Sequence, residues 1–286
     1  MTAKQPPAFG PTQRLQHEYE RGMREVVKRI LAPKLPSQTF DQWVAELAER
    51  SRRPDVQSAS EFLARKMFQW ANITNARTWR EAASKSQQSR KLFKLLTAEM
   101  RTATGARVTG LVRENAKLIS SLPIVAAQTL TDEILKAQQS GARADTLAKM
   151  MRTRFPELMR SRVHLIARTE TAKASTALTE ARCAELSIDW YVWESSKDQR
   201  TRKSHKNLHG VLIPWAHAPS PEELVSLPSY GHYHAGTTFN CRCTQIPLLT
   251  FQDVSWPHRV YWGNSVSQMT LPEFKRIATG VETRAA

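Results

Sequence analysis

The sequence predicts an α+β protein in which a mostly helical N-terminal half leads, through one long helix, into a small C-terminal module with a few short strands. Two observations support this prediction. Apolar residues recur at three- and four-residue steps through most of residues 13–186, which is the period of amphipathic helices. After residue 187, short aromatic and β-branched runs are separated by turn residues, a pattern typical of strands.

The 286 residues are enough for two modest domains, with 41% hydrophobic and 24% charged residues. Pro6, Pro7, Gly10 and Pro11 make the N-terminal end unsuited to a helix. The predicted division is 1–14 as a flexible arm, 15–155 as a helical domain, 156–250 as the C-terminal domain and 251–286 as a tail.

The helical domain contains several stretches with helical spacing. They are residues 13–31, 39–50, 58–80, 115–139 and 143–153, with the 115–139 stretch interrupted near Pro123. Trp70 and Trp79 lie near the apolar stripe of the third stretch, so core packing is favoured over base binding. Residues 84–113 are polar and basic, and either a solvated helix face or a contact surface for DNA fits them.

A long helix is predicted over residues 156–186, because Pro156 is well placed at a first helical turn. Glu170 falls on the apolar face of this helix. A carboxylate buried alone is costly, so it needs a partner, and Arg200 or Arg202 in the following loop is the predicted one. The alternative places Glu170 at the edge of the stripe, in reach of water.

The C-terminal module is predicted to contain strands over 188–194, 211–215 and 244–249. A short helix over 204–208 places His205 and His209 on one face. Asp198 is suited to capping the turn before that helix.

Cysteine and histidine residues cluster in this module. Zinc takes four ligands from thiolate and imidazole, and the candidates are His205, His234, Cys241 and Cys243, with His209 and His232 as substitutes. The C-x-C spacing is weaker than C-x-x-C, so the alternative is that these groups only hydrogen-bond a compact loop. A catalytic metal is disfavoured because the sequence has no H-E-x-x-H, no obvious general base beside the histidines and no nucleophile elbow. A glycine-rich phosphate-binding loop is also missing from the sequence.

The overall charge points to a polyanion. Lys and Arg number 42 against 26 Asp and Glu, giving +16, and nucleic acid is the usual partner of such a chain. An acidic protein partner, or solubility alone, is the alternative. The three cysteines are too few for a disulfide framework, which predicts a reduced intracellular setting. Neither a signal peptide nor a membrane-spanning run is predicted.

Three segments in the second half occur in a distinctive order. They read I-A-R-T-E-T-A-K-A, then Y-V-W-E-S-S-K-D-Q-R-T-R-K-S-H-K-N-L-H-G, then H-A-G-T-T-F-N-C-R-C-T-Q-I-P. Together, over roughly residues 159–249, they resemble the phage Mu F-like minor head protein domain, the head-morphogenesis module of tailed bacteriophages. That family often has Cys where this chain has His205 and Asp where it has His209. Since a metal ligand tolerates exchange of thiol and imidazole, the resemblance favours His205 over His209.

The resemblance implies a structural, non-enzymatic virion component, present in few copies at the portal vertex inside the capsid or neck, and in the host cytoplasm during assembly. Its expected partners are the portal protein, other capsid proteins and packaged double-stranded DNA bound without sequence specificity, through counterion release and without an aromatic stacking platform. One alternative is a metal-dependent nuclease or toxin-like effector carrying the same module. Another is a nucleic-acid-binding adaptor unrelated to phage. The tail, 251–286, suits docking rather than catalysis.

Overall fold

The computed structural model describes residues 9–85 and 104–278 and confirms the α+β class. The helices of the first half are α1 (Gln13–Ile30), α2 (Phe40–Ser51), α3 (Pro54–Lys85), α4 (Thr104–Gln139) and α5 (Ala144–Glu185). The remaining elements are β1 (Trp190–Glu194), α6 (Lys203–Asn207), β2 (Leu212–Pro214), a 3-10 turn (Glu223–Val225), β3 (Thr244–Pro247), β4 (His258–Trp262), β5 (Ser265–Met269) and α7 (Leu271–Ala278). Most of the basic stretch 84–113 lies outside the described residues.

The described residues form two compact units. The helical unit is drawn from Thr12–Trp70 and Ala106–Thr171. The mixed unit contains the sheet and is drawn, among the described residues, from 9–11, 71–85, 104–105 and 172–278. No helix in the described ranges is both long and apolar enough to cross a bilayer.

In the helical unit, local signals set the helix starts. The Thr12 hydroxyl accepts from the Leu15 N–H and caps α1, while Thr39 and Gln42 form a reciprocal capping box at α2. The Trp43 Nε1–H donates to the Ala32 carbonyl over 2.9 Å, which ties the start of α2 to the end of α1. These contacts satisfy backbone groups that a helix end leaves unpaired.

Two predicted helix boundaries are wrong. Pro123 lies inside α4 and Pro156 lies inside α5, where the sequence predicts an interruption and a helix start. Each proline removes one backbone hydrogen bond. Apolar burial near each proline, at Leu122 and Ala126 in α4 and at Met159 in α5, stabilises a continuous helix despite that loss.

The five-stranded sheet of the mixed unit has the order β3-β1-β2-β4-β5. β1 runs antiparallel to β2 and to β3, β2 pairs with β4 in parallel, and β4 and β5 form an antiparallel hairpin. The stretch 251–286 is therefore more than a tail, because it supplies two strands and α7. The overlooked signal is the Gly263-Asn264 pair, whose two positive φ angles suit a tight hairpin between β-rich runs.

The sheet buries side chains on both faces. On one face, Trp190 of β1 and Val260 of β4 pack with Phe274 and Ile277 of α7, and the Trp190 and Phe274 ring centroids are 4.9 Å apart. On the other face, the alternating residues Tyr191 and Trp193 pack against the loop that carries Cys241 and Cys243. The strand alternation thus places the cysteine loop over the centre of the sheet.

The mixed unit also holds the described end of the N-terminal arm. Phe9 is buried, its ring lies 5.0 Å from that of Trp79, and its carbonyl accepts from the Ser175 hydroxyl over 2.9 Å. Trp79 itself is fully buried, which confirms its predicted place in a core. The arm is therefore anchored at Phe9, four residues before α1 begins.

Candidate metal site

A buried cluster joins two of the sequence motifs. Its donor atoms, on His205, Cys241 and Cys243, all lie within 4.8 Å of one another. His205 Nδ1 is 3.6 Å from the Cys241 Sγ and 3.4 Å from the Cys243 Sγ. The three side chains belong to residues that are only 2–3% exposed.

Short local elements position these donors. His205 lies in the middle of α6, whose five residues directly follow the Asp198 turn. Cys241 and Cys243 flank Arg242 just before β3, and the Cys243 N–H donates to the Cys241 Sγ over 3.4 Å. The C-x-C spacing therefore brings both sulfur atoms to the same side of the chain, facing α6.

A hydrogen-bond chain fixes which nitrogen of His205 faces the sulfur atoms. The Tyr233 hydroxyl donates to Glu222 Oε1 over 2.7 Å and lies 2.9 Å from His205 Nε2. With its proton committed to the carboxylate, the phenol oxygen accepts from His205 Nε2–H. Nδ1 then carries a lone pair directed at the two sulfurs, which is the tautomer a metal ligand needs.

Two further contacts hold this chain in place. The Ser204 hydroxyl also donates to Glu222 Oε1, over 3.0 Å. Burial, followed by the hydrogen bond to Glu222, raises the pKa of Tyr233, so that the phenol keeps its proton. Trp193 packs edge-on against His205, with ring centroids 5.5 Å apart. Sequence reasoning missed Tyr233, Glu222 and Ser204, because nothing in their local pattern marks them.

The two thiols behave as a pair. Donation from the Cys243 thiol lowers the pKa of Cys241 despite burial. The hydrogen bond to Cys241, together with burial, raises the pKa of Cys243. One sulfur ionises readily while the other retains the shared proton. A divalent cation can replace that proton, so the donor set fits a thiolate-binding metal such as zinc.

The structure places the other predicted histidines elsewhere. His234 Nδ1 lies 3.1 Å from the Tyr191 hydroxyl, outside the three-residue cluster. His209 Nδ1 faces the Glu194 carboxylate at 3.5 Å. His232 is exposed, and its Nδ1 lies 3.0 Å from the Ala218 carbonyl. Of the six candidate ligands, the structure thus brings His205, Cys241 and Cys243 together.

The Asp198 carboxylate links the two motif loops. It accepts from the Arg200 N–H and the Thr201 hydroxyl, and so caps the turn before α6. Both terminal nitrogens of Arg242, the residue between the cysteines, donate to the same carboxylate. Arg242, ahead of these turn contacts, lowers the pKa of Asp198. This bidentate pair holds the cysteine loop against the α6 turn.

The hydrogen-bond partner described for Glu170 differs from the predicted Arg200 or Arg202. Glu170 is buried, and its Oε2 accepts from the Asn115 Nδ2–H over 2.9 Å within the helical unit. Arg202 instead donates to the Phe239 carbonyl over 3.0 Å. Asn115 lies on α4, so this hydrogen bond joins α4 to α5 inside the helical unit.

Comparison with known proteins matches the same region. Residues 128–246 match the family described as phage Mu protein F like protein. An uncharacterized protein of Haemophilus influenzae is 31% identical over 143 residues, which cover 50% of this chain and 30% of the relative. An uncharacterized protein of Methanocaldococcus jannaschii is 31% identical over 122 residues, 43% of this chain and 17% of the relative. The chain thus spans less than a third of either curated relative. No solved structure matches it.

Proposed function

We propose that this chain is a structural minor head protein of a tailed bacteriophage, because residues 128–246 match the family described as phage Mu protein F like protein. It acts in head morphogenesis at the portal vertex, inside the capsid or neck, and contacts the portal protein and other capsid proteins. It is located in the virion, and in the host cytoplasm during assembly. The observation that carries this proposal is the family match, which includes the whole cluster of His205, Cys241 and Cys243.

The proposal includes contact with packaged double-stranded DNA. The formal charge of +16 supports this contact, because the binding of Lys and Arg to phosphates releases condensed counterions, which favours binding.

The proposed role is structural rather than enzymatic, and the burial of the cluster supports this view. A catalytic zinc needs a position open to substrate, whereas these three residues are almost wholly covered.

The DNA contact is tested by its salt dependence. Binding to duplexes of two unrelated sequences is expected to be equal, and to weaken by roughly 10³-fold between about 50 and 200 mM salt if six or more phosphates are contacted. Fluorescence anisotropy measures both quantities. An affinity that is insensitive to salt, or that depends on the sequence, would contradict the proposal.

The assembly role is tested separately. Co-expression with the portal protein of the same phage is expected to give a complex that survives gel filtration.

The enzymatic alternative is tested by a nuclease assay with and without a chelator. DNA that stays intact in both conditions decides against that alternative. Metal-dependent cleavage would overturn the structural role.

We further propose that the cluster holds a structural zinc ion, with Cys241 and Cys243 as thiolates and His205 through Nδ1. Bound zinc would cross-link the α6 turn to the cysteine loop, which suits a small unit whose sheet has only short strands. Zinc content measured on the purified protein, at one equivalent, is the expected result.

Tyr233→Phe is expected to weaken zinc binding by roughly 10–100-fold. Without the phenol oxygen, no hydrogen bond holds the His205 proton on Nε2 and leaves Nδ1 free to bind the metal. Competition with a chromogenic chelator measures this affinity. Tyr261→Phe is the matched control, since its hydroxyl donates to Asn264 rather than to a residue of the cluster. Equal zinc affinity in the two variants would show that the Tyr233–Glu222 hydrogen-bond chain does not determine which His205 nitrogen binds zinc.

A further inference from the structure

Two exposed aromatic rings and an arginine meet beside the cysteine loop. Tyr230 and Phe239 are 59% and 51% exposed, and their ring centroids lie 5.4 Å apart. The guanidinium carbon of Arg202 lies 4.4 Å from the Phe239 centroid and 6.0 Å from that of Tyr230. We call these three residues the Arg202 platform. Such a group is unusual on a surface, because exposed aromatic side chains gain little from folding.

Arg202 is held in one geometry within the platform. Its Nη2–H donates to the Phe239 carbonyl over 3.0 Å, while its plane lies near the Phe239 ring. The guanidinium has further N–H donors that remain available to a ligand. A fixed, partly exposed guanidinium with spare donors is suited to a phosphate.

The surroundings of the platform are strongly basic. Residues 197–206 contain five Lys or Arg residues and one Asp. Lys197, Arg200, Lys203 and Lys206 are exposed. Asp198 is occupied by Arg242, and Lys197 pairs with Glu194. The other exposed cations, Arg200, Lys203 and Lys206, are therefore complementary to a negatively charged chain.

We infer that the Arg202 platform binds single-stranded DNA, with bases stacking on Tyr230 and Phe239 and phosphates contacting Arg202 and the neighbouring cations. Aromatic rings combined with a basic surface are the arrangement by which proteins bind single strands without reading sequence. A duplex covers the faces of its bases, so stacking of this kind selects unpaired nucleotides. No aromatic stacking platform is predicted from the sequence, and the structure forms one from Arg202 and two rings that lie 28 and 37 positions after it in the chain.

This inference goes beyond the proposed contact with double-stranded DNA. It also connects to the proposed zinc site, since Arg202 directly precedes α6 and Phe239 lies two residues before Cys241. The platform itself does not require the metal in order to bind.

The test compares labelled oligothymidylate with a duplex of equal length, by anisotropy, using the full chain. Phe239→Ala and Tyr230→Ala are each expected to weaken single-strand binding by roughly tenfold while leaving duplex binding within about twofold. Arg202→Ala is expected to weaken single-strand binding and to reduce its salt slope by about 0.7. Phe251→Ala, which removes another exposed aromatic ring of the mixed unit, is the control expected to bind like wild type.

The outcomes separate the two proposals. Wild-type protein that binds the duplex but not the single strand overturns the platform and leaves the proposed function intact. Single-strand binding that survives both aromatic substitutions also overturns it, as does equal competition by polyglutamate, which would indicate an acidic protein partner. Binding to neither form of DNA would contradict the DNA contact in the proposed function. Because all three side chains are at the surface, unchanged thermal melting is expected to confirm that the variants fold.

Discussion

Replacing Cys241 with serine is expected to abolish tight zinc binding and to lower the melting temperature of the mixed unit by roughly 10 °C. A serine hydroxyl stays protonated at neutral pH and is a poor substitute for a thiolate. A ligand present at about a thousand times its Kd stabilises the folded state by roughly 4 kcal/mol. In a unit of this size, each kcal/mol moves the melting temperature by about 2–4 °C. His205→Ala is expected to act in the same way, and calorimetry of metal-loaded samples measures both.

The chelator is the decisive control for this prediction. Wild-type protein treated with a chelator is expected to have about the same melting temperature as the Cys241→Ser variant. The melting temperature of the variant itself is not expected to change with the chelator. His217→Ala, an exposed histidine of the same unit outside the cluster, is expected to retain zinc and its melting temperature. If wild-type protein melts at the same temperature with and without the chelator, the cluster contributes hydrogen bonds and packing rather than a metal site.

Features that depend on local sequence were predicted well. Helices α1 and α2, the short helix around His205 and strands β1 to β3 all follow from residue type and spacing within about ten positions. The fold class followed from the same signals. The proximity of His205 to the C-x-C loop was inferred from chemistry, because imidazole and thiolate are both zinc ligands.

Features that depend on packing between distant segments were not predictable. Pro123 and Pro156 carry a strong local signal for a break, and tertiary burial overrides it. The Tyr233–Glu222 chain joins α6 to two loops, and neither residue has a neighbour that marks its role. The Arg202 platform likewise requires three segments to meet, which only the folded chain shows. The hairpin of β4 and β5 is different, because Gly263-Asn264 was a readable signal in a stretch predicted to be a tail.

Glu170 shows the same limit in energetic terms. Chemistry correctly required a partner for a buried carboxylate, but the sequence does not indicate which group supplies it. The actual donor, Asn115, lies 55 residues earlier on α4. Asn115 also accepts from the Tyr19 hydroxyl over 2.7 Å, so that one amide bridges α1, α4 and α5. Burial, followed by the Glu170 charge, raises the pKa of Tyr19, which keeps the phenol proton available for this bond.

Asn115→Ala is therefore expected to lower the free energy of unfolding of the helical unit by about 3 kcal/mol. The substitution removes the amide that donates to the Glu170 carboxylate and accepts from the Tyr19 hydroxyl. Each of these buried groups then loses a hydrogen bond that water does not replace. Tyr19→Phe is the matched comparison, because it removes only the phenol bond and is expected to cost about 1 kcal/mol. Urea denaturation followed by helical circular dichroism measures both variants. A cost for Asn115→Ala no larger than that for Tyr19→Phe would mean that the bond to Glu170 is not what stabilises the buried charge.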